Sequence, residues 1–324
     1  MPHTGPLAPA EYHDHMQDTV LHGVVAPLAR AAGVARAART YLTDDGQRVE
    51  VQVSSDYPAD FDADQALVDF LGSRVHGQEL SSLRVYVGTP AEIQTICGGP
   101  RAVACYAIDQ QRMFVPGERV HGVPVEYALT HEYGHHVAGW RDNNPWDAID
   151  WGAKHWASEM RVCTHVARGR LFPGNQGEHY LEDPGEGFAD GFAHLHYEDA
   201  PWQFSPLLRP TSEALAAIRR DVLRPWTGPR SRTFRGRLGL GRSPRSFKLR
   251  LTLDGDMSIR LRAARGVSAE VEVDAGRFAT GQTLRGGGGF GIEWCRRQEN
   301  EKVTLTVRRR EGSGPFALKV SYPG

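Results

Sequence analysis

The chain has only four cysteines, at positions 97, 105, 163 and 295, and none stands in a Cys-x-x-Cys spacing. That excludes a cysteine-built zinc ribbon and a chain stapled throughout by disulfides. No apolar run comes near the ~18 residues that a bilayer-spanning helix needs, so no membrane span is expected. The opening MPHTGPLAPAEYHDHM lacks a basic stretch followed by an apolar one, and no signal peptide is read in it. Strong net charge is also missing, since 38 Lys and Arg stand against 39 Asp and Glu.

What is present suffices for a sizeable core. The 324 residues are 40% hydrophobic and 24% charged, in the range of one large or two ordinary globular domains. The near-neutral charge conceals two unlike parts: residues 225–324 carry 20 Lys and Arg against 9 Asp and Glu, and the first 224 carry 18 against 30. Such asymmetry points to two units with different surfaces. The basic third reads either as a solvated Arg-rich sheet face or as a contact for an anionic polymer; no nucleic-acid partner is expected. Cys97 and Cys105 enclose a turn-forming Gly98-Gly99-Pro100, which favours a local Cys97–Cys105 disulfide and leaves Cys163–Cys295 to bridge the halves. Four reduced thiols in a cytoplasmic protein are the other reading, because spacing alone does not fix connectivity.

The low-breaker stretch from Ala31 runs to Asp44-Asp45-Gly46, a hairpin turn signal between YLT and RVEVQV. Asp62–Val75 reads as a helix, Leu83–Val87 as a buried strand, and CYAI and RMFV as two short strands. A helix is expected over about 123–139, helical structure within Asn144–Arg168, a helix over about 183–197 started by Asp183-Pro184, and an amphipathic helix over Ser212–Leu223. Residues 225–246, rich in Pro, Gly and Arg, read as a linker. From 247 to 324, apolar residues alternate with polar ones in short runs, the pattern of a small all-β sandwich. Gly286–Gly289 has no Lys-Ser/Thr after it and reads as a flexible turn, not a phosphate cradle.

The chemistry concentrates in ALTHEYGHHVAGW. His131 and His135 are four residues apart, so on a helix both imidazoles leave one face ~6 Å apart along the axis, a separation one zinc ion bridges. Glu132 lies beside them, placed to act on a water at the metal as general base. Chance alone supplies about 0.04 such His-Glu-x-x-His spacings in a chain of this composition; two surface histidines at i, i+4 are the alternative. His136 points elsewhere on the helix and reads as a structural residue. A catalytic zinc needs a third protein ligand and an open position. The metzincin extension is absent, because Ala138 and Arg141 stand where Gly and His would be. In EDPGEGFADGFAHLHY, Glu186 and Asp190 are again four apart at a helix start. Glu186 is then the third ligand, and Asp190 accepts the Nδ1 proton of a liganding imidazole. A capping box with Asp183 is the rival role for Glu186, and His194 or His196 the rival ligand.

HEYGH followed downstream by E-G-F-A-D resembles the gluzincin metallopeptidases. The resemblance implies an α+β zincin-like catalytic domain over 1–224, Zn2+ held by His131, His135 and Glu186, Glu132 as base, Asp190 behind the ligands, and a peptide or protein substrate. The 50-residue gap between His135 and Glu186 is longer than in the best-known members and leaves room for an inserted helix containing Trp151–Arg168. The resemblance also implies a Tyr or His that stabilises the tetrahedral oxyanion, for which Tyr180, His179, His194 and Tyr197 are candidates. An extended substrate is expected to pair with an edge strand inside CYAIDQQRMFV. The last ~80 residues, closing on G-x-F-x-L-x-V, resemble the prepeptidase C-terminal β-sandwich of secreted bacterial proteases; that implies secretion and disulfides.

Overall fold

The computed structural model describes residues 20–21, 35–61, 64–276, 279–285, 287–296 and 300–324. The signal-peptide reading at the N-terminus, the stretch opening at Ala31, the helix start at Asp62 and Gly286 fall outside them.

The N-terminal half is built on a six-stranded mixed sheet. Its strands are β1 (Val20–Leu21), β2 (Arg39–Leu42), β3 (Arg48–Val53), β4 (Arg84–Gly88), β5 (Cys105–Ala107) and β6 (Arg112–Pro116), in the order β1-β5-β6-β4-β3-β2. β2 and β3 form the expected antiparallel hairpin, with Gly46 supplying the positive φ of 86° at its turn. β3 is buried at alternate positions, Val49, Val51 and Val53, as its period-two sequence requires. β3, β4 and β6 run parallel, and helix α1 (Asp64–Gly72) crosses from β3 to β4. Thr89 and Glu92 cap α2 (Pro90–Ile96) reciprocally.

The expected edge strand is not an edge. β6 lies between β5 and β4, and β5 is covered on its other side by β1, through Val20 opposite Tyr106 and Leu21 opposite Ala107. Two residues far upstream close the hydrogen-bonding row that a substrate would need.

Below the sheet run α3 (Val125–Gly139), the short strands β7 (Asp142–Asn143) and β8 (Trp146–Asp147), α4 (Ala148–Trp151), α5 (Lys154–Glu159), α6 (Val162–Val166), α7 (Pro184–His194) and α8 (Ser212–Leu223). The helical stretch expected within 144–168 is three pieces, broken where Gly152 and Arg161 take positive φ of 75° and 54°. α7 ends at His194, short of 197. Residues between Val20 and Val222 supply one large apolar core and a smaller one around Tyr86, Ile93 and Phe114, and Leu238 to Tyr322 supply another.

The second core lies between two four-stranded antiparallel sheets, β10-β15-β12-β13 and β14-β11-β16-β9. Their strands are β9 (Arg230–Leu238), β10 (Arg245–Leu251), β11 (Gly255–Ala263), β12 (Ser268–Asp274), β13 (Ala279–Arg285), β14 (Gly287–Trp294), β15 (Glu301–Glu311) and β16 (Gly314–Tyr322). Two expectations are corrected here. The middle of 225–246 is not a linker, because β9 pairs with β16 along its whole length; its arginines hide the alternation of Phe234, Gly236 and Leu238. Gly287–Gly289 is not a loop but part of β14, where backbone pairing with β11 needs no side chains.

Both disulfides join the expected cysteines. Cys97–Cys105 closes the local turn and Cys163–Cys295 ties α6 to the end of β14, with Cα separations of 5.7 and 5.4 Å. Around the second bridge, Asp254 accepts from the Arg296 backbone N–H at 2.6 Å, and Ser158 accepts from the Asp254 N–H at 2.9 Å. Lys154 Nζ donates to the Asn144 carbonyl at 2.7 Å between the rings of Trp146 and Trp226. Burial pushes the Asp254 carboxyl up to about 7 and the Lys154 amine down to about 8.

Candidate metal centre

α3 is buried from Tyr127 to Ala138, an unusual setting for a stretch with three histidines and a glutamate. α7 packs against it, and Gly134 permits the approach: a Cβ there would stand 2.7 Å from the Ala189 Cα. The fourth residue of the His-Glu-x-x-His spacing therefore sets the distance between the two helices. At the start of α7, Asp183 caps the helix by accepting from the Gly185 N–H at 2.9 Å, and Pro184 occupies the first position. Glu186 falls in the first turn, where the helix dipole favours a carboxylate.

One carboxylate oxygen meets both imidazoles. Glu186 Oε2 lies 3.3 Å from His135 Nε2 and 3.5 Å from His131 Nε2, and all three side chains are buried. Neither ring nitrogen of His135 has a hydrogen-bond partner, and neither does Glu186 Oε2. Two donors each ~2.1 Å from a tetrahedral zinc stand roughly 3.4 Å apart. The spacing thus fits a cation shared by the three side chains. Burial and the Glu186 charge also push the Asp183 carboxyl up to about 8, a crowding of acids that a cation would relieve. Among the described residues no fourth ligand joins the three.

Asp190 is one turn along α7 and buried, with Oδ1 3.5 Å from His131 Nδ1. Its closer partner is Tyr127, whose hydroxyl donates to the same oxygen at 2.6 Å. Sequence reasoning passed over Tyr127, although it stands four residues before His131 on the same helix face. Gln176 and Phe204 were also missed. Gln176 donates to Glu186 Oε1 at 3.4 Å, and the Phe204 ring stacks on His131 at 6.5 Å between centroids. Both lie on irregular segments that no periodicity marks. Glu132 is buried between the two histidines on α3.

His136 faces the other way. Its Nε2 donates to the Glu79 carbonyl at 2.8 Å while Nδ1 accepts from Tyr106 at 2.9 Å, and burial holds the ring down at about 4. Behind it, Glu79 accepts from Tyr133 at 2.9 Å and pairs with Arg141 at 2.7 Å.

No family model matches this chain. No curated protein matches it either. A solved structure that does match is the solution NMR structure of a de novo designed double-stranded beta-helix, 15% identical, covering 28% of this chain and 95% of that one at a TM-score of 0.18. A likeness that low carries no argument about fold or chemistry.

The oxyanion candidates separate. His194 is turned away, with ring nitrogens 2.9 Å from the Asp190 carbonyl and 3.0 Å from the Ala200 carbonyl. Tyr197 tilts against Tyr127 and burial raises its hydroxyl. His179 stacks on Phe172. Tyr180 packs on Phe204, the ring that also stacks on His131. Both ring nitrogens of His194 lie on the Asp190 and Ala200 carbonyls, and His196 takes the Val75 N–H at 3.4 Å, so both rival ligands are otherwise engaged.

Proposed function

We propose that this chain is a secreted zinc-dependent endopeptidase of the gluzincin kind. The observation that carries the reading is Glu186 Oε2 set 3.3 Å from His135 Nε2 and 3.5 Å from His131 Nε2, with neither that oxygen nor the His135 ring hydrogen-bonded. His131, His135 and Glu186 hold the Zn2+. When bound, zinc lowers the pKa of a water to ~7 and polarises a carbonyl oxygen. Glu132 takes the proton from the attacking water and returns it to the leaving nitrogen. Asp190, steadied by Tyr127, keeps the His131 ring oriented. Tyr180 is the oxyanion donor that its position beside Phe204 favours. Three candidate ligands and no fourth among the described residues support a catalytic over a structural zinc. Two disulfides fit an oxidising compartment.

All three ligands are buried, with the Phe204 ring stacked on His131 and Trp202 packed on Phe204, so part of this cover has to move before a peptide reaches them. The test is cleavage of casein and of a peptide library by the zinc-loaded chain, by Glu132→Gln, and in chelator. Cleavage lost in the latter two supports the reading. A zinc-loaded chain that cleaves esters or simple amides but no peptide would replace it with a non-proteolytic hydrolase.

A further inference from the structure

The two sheets of the C-terminal half treat their arginines differently. On the outer side of β12 and β15, Arg308 pairs with Glu272 at 3.6 Å and Arg310 with Glu270 at 2.7 Å. Among the described residues, the outer face of β14-β11-β16-β9 has no such pairing. Its register stacks three rows across the strands: Gly291, Ser258, Ser321, Ser231; then Gly289, Arg260, Lys319, Thr233; then Gly287, Arg262, Ala317, Arg235. Arg235, Arg260, Arg262 and Lys319 are exposed, and none forms an ion pair or side-chain hydrogen bond among the described residues. Arg260 sits directly opposite Lys319, an arrangement that destabilises a sheet unless an anion intervenes. The carboxylates nearest these rows, Asp256 and Glu293, face each other one row beyond Ser258 and close that end.

We propose that this face binds an acidic polysaccharide. Carboxylates or sulfates seat on Arg235, Arg260, Arg262 and Lys319, with the arginines engaging them through two parallel N–H bonds. Sugar hydroxyls meet Ser231, Thr233, Ser258 and Ser321, and the polymer lies along the strip that Gly287, Gly289 and Gly291 leave without side chains. Other anions fit the face less well. The rings of this sheet, Phe234, Phe290, Phe316, Trp294 and Tyr322, pack toward the core, so nucleobases find nothing to stack on. A flat sheet face does not enter a duplex groove. It offers no apolar side chain larger than Ala317 for a lipid surface or for the apolar centre of a protein interface.

The test is independent of the metal and is run in chelator. The full chain is titrated with size-defined heparin and with oligogalacturonate at about 150 mM salt, with oligo(dT) and phosphatidylglycerol vesicles as competing probes. At least one polysaccharide should bind, more weakly as salt rises. Replacing Arg235, Arg260, Arg262 and Lys319 by Ser should weaken it by at least about tenfold at unchanged melting temperature, and Arg308→Ser with Arg310→Ser should leave it within about threefold. If the fourfold variant does not fold, Arg235→Ser and Arg262→Ser singly should each weaken binding about threefold. The proposal is overturned by polysaccharide binding that survives these substitutions, by no polysaccharide binding, or by oligo(dT) or vesicles binding as tightly as either sugar.

Discussion

Tyr127 donates to Asp190 at 2.6 Å, and the oxygen that accepts this bond also stands 3.5 Å from His131 Nδ1. One residue of α3 thus fixes a side chain of α7 that in turn faces another residue of α3.

Removing either end of this relay should loosen the metal without removing a ligand. Asp190→Ala is expected to weaken zinc binding by about 10- to 100-fold, and Tyr127→Phe by the lower part of that range. Competition with a chromophoric chelator reads both. Unchanged affinity in Asp190→Ala would mean that the pair serves packing alone.

Zinc should raise the melting temperature of the stripped chain by several degrees, because a ligand at about a thousand times its Kd adds about 4 kcal/mol to the folded state. Glu186→Ala and His135→Ala should each erase that gain. A zinc-dependent shift of wild-type size in Glu186→Ala would place the third ligand elsewhere.

Gly134→Ala forces α3 away from Ala189, where the added carbon would lie 2.7 Å from a backbone atom. The expected loss is about 1–3 kcal/mol of stability by urea denaturation, with weaker zinc binding alongside it. A loss below ~0.5 kcal/mol would show that the helices can part freely.

His136 should make the fold acid-labile. Burial lowers its ring to about 4 from the ordinary 6.5, so the folded chain holds it neutral while the unfolded chain protonates it first. Stability is therefore complete above 6.5 and is lost as pH falls from there through about 4, by roughly 3 kcal/mol in all. His136→Gln keeps a donor for the Glu79 carbonyl and does not titrate. In metal-free protein it should flatten the acid limb of the stability profile; an identical limb in both chains would assign the lability to other groups, His196 among them.

Phe204→Ala removes the ring stacked on His131, and cleavage of a short peptide by the zinc-loaded chain should rise by about three- to tenfold if that ring limits entry. Steady-state kinetics would show it, and an unchanged or lower kcat/KM would rule out Phe204 as a barrier.

The parts of the site that sequence disclosed are those written in helical spacing. His131 and His135 share a face because four residues make about one turn, and Asp183-Pro184 announces the helix that carries Glu186. Tyr127 was legible by the same rule, one turn upstream, but no chemistry at that position drew notice. Gln176 and Phe204 obey no period, since only the folded path of their loops brings them to the ligands. In the sheet, Val20–Leu21 is too short to announce itself as a strand, which made β5 look like an edge. β9 failed for another reason: an outer face of arginines beside an inner face with one glycine resembles loop composition.

Cys163 and Cys295 stand 132 positions apart in sequence, and their bridge ties α6 to the end of β14, the outermost strand of the sheet with the basic face. A single backbone cut anywhere between those two cysteines would leave the fragments travelling as one molecule until a thiol reagent is added. A nicked preparation would run at full size on a non-reducing gel and fall into two bands on a reducing one, so such damage escapes size-based quality control.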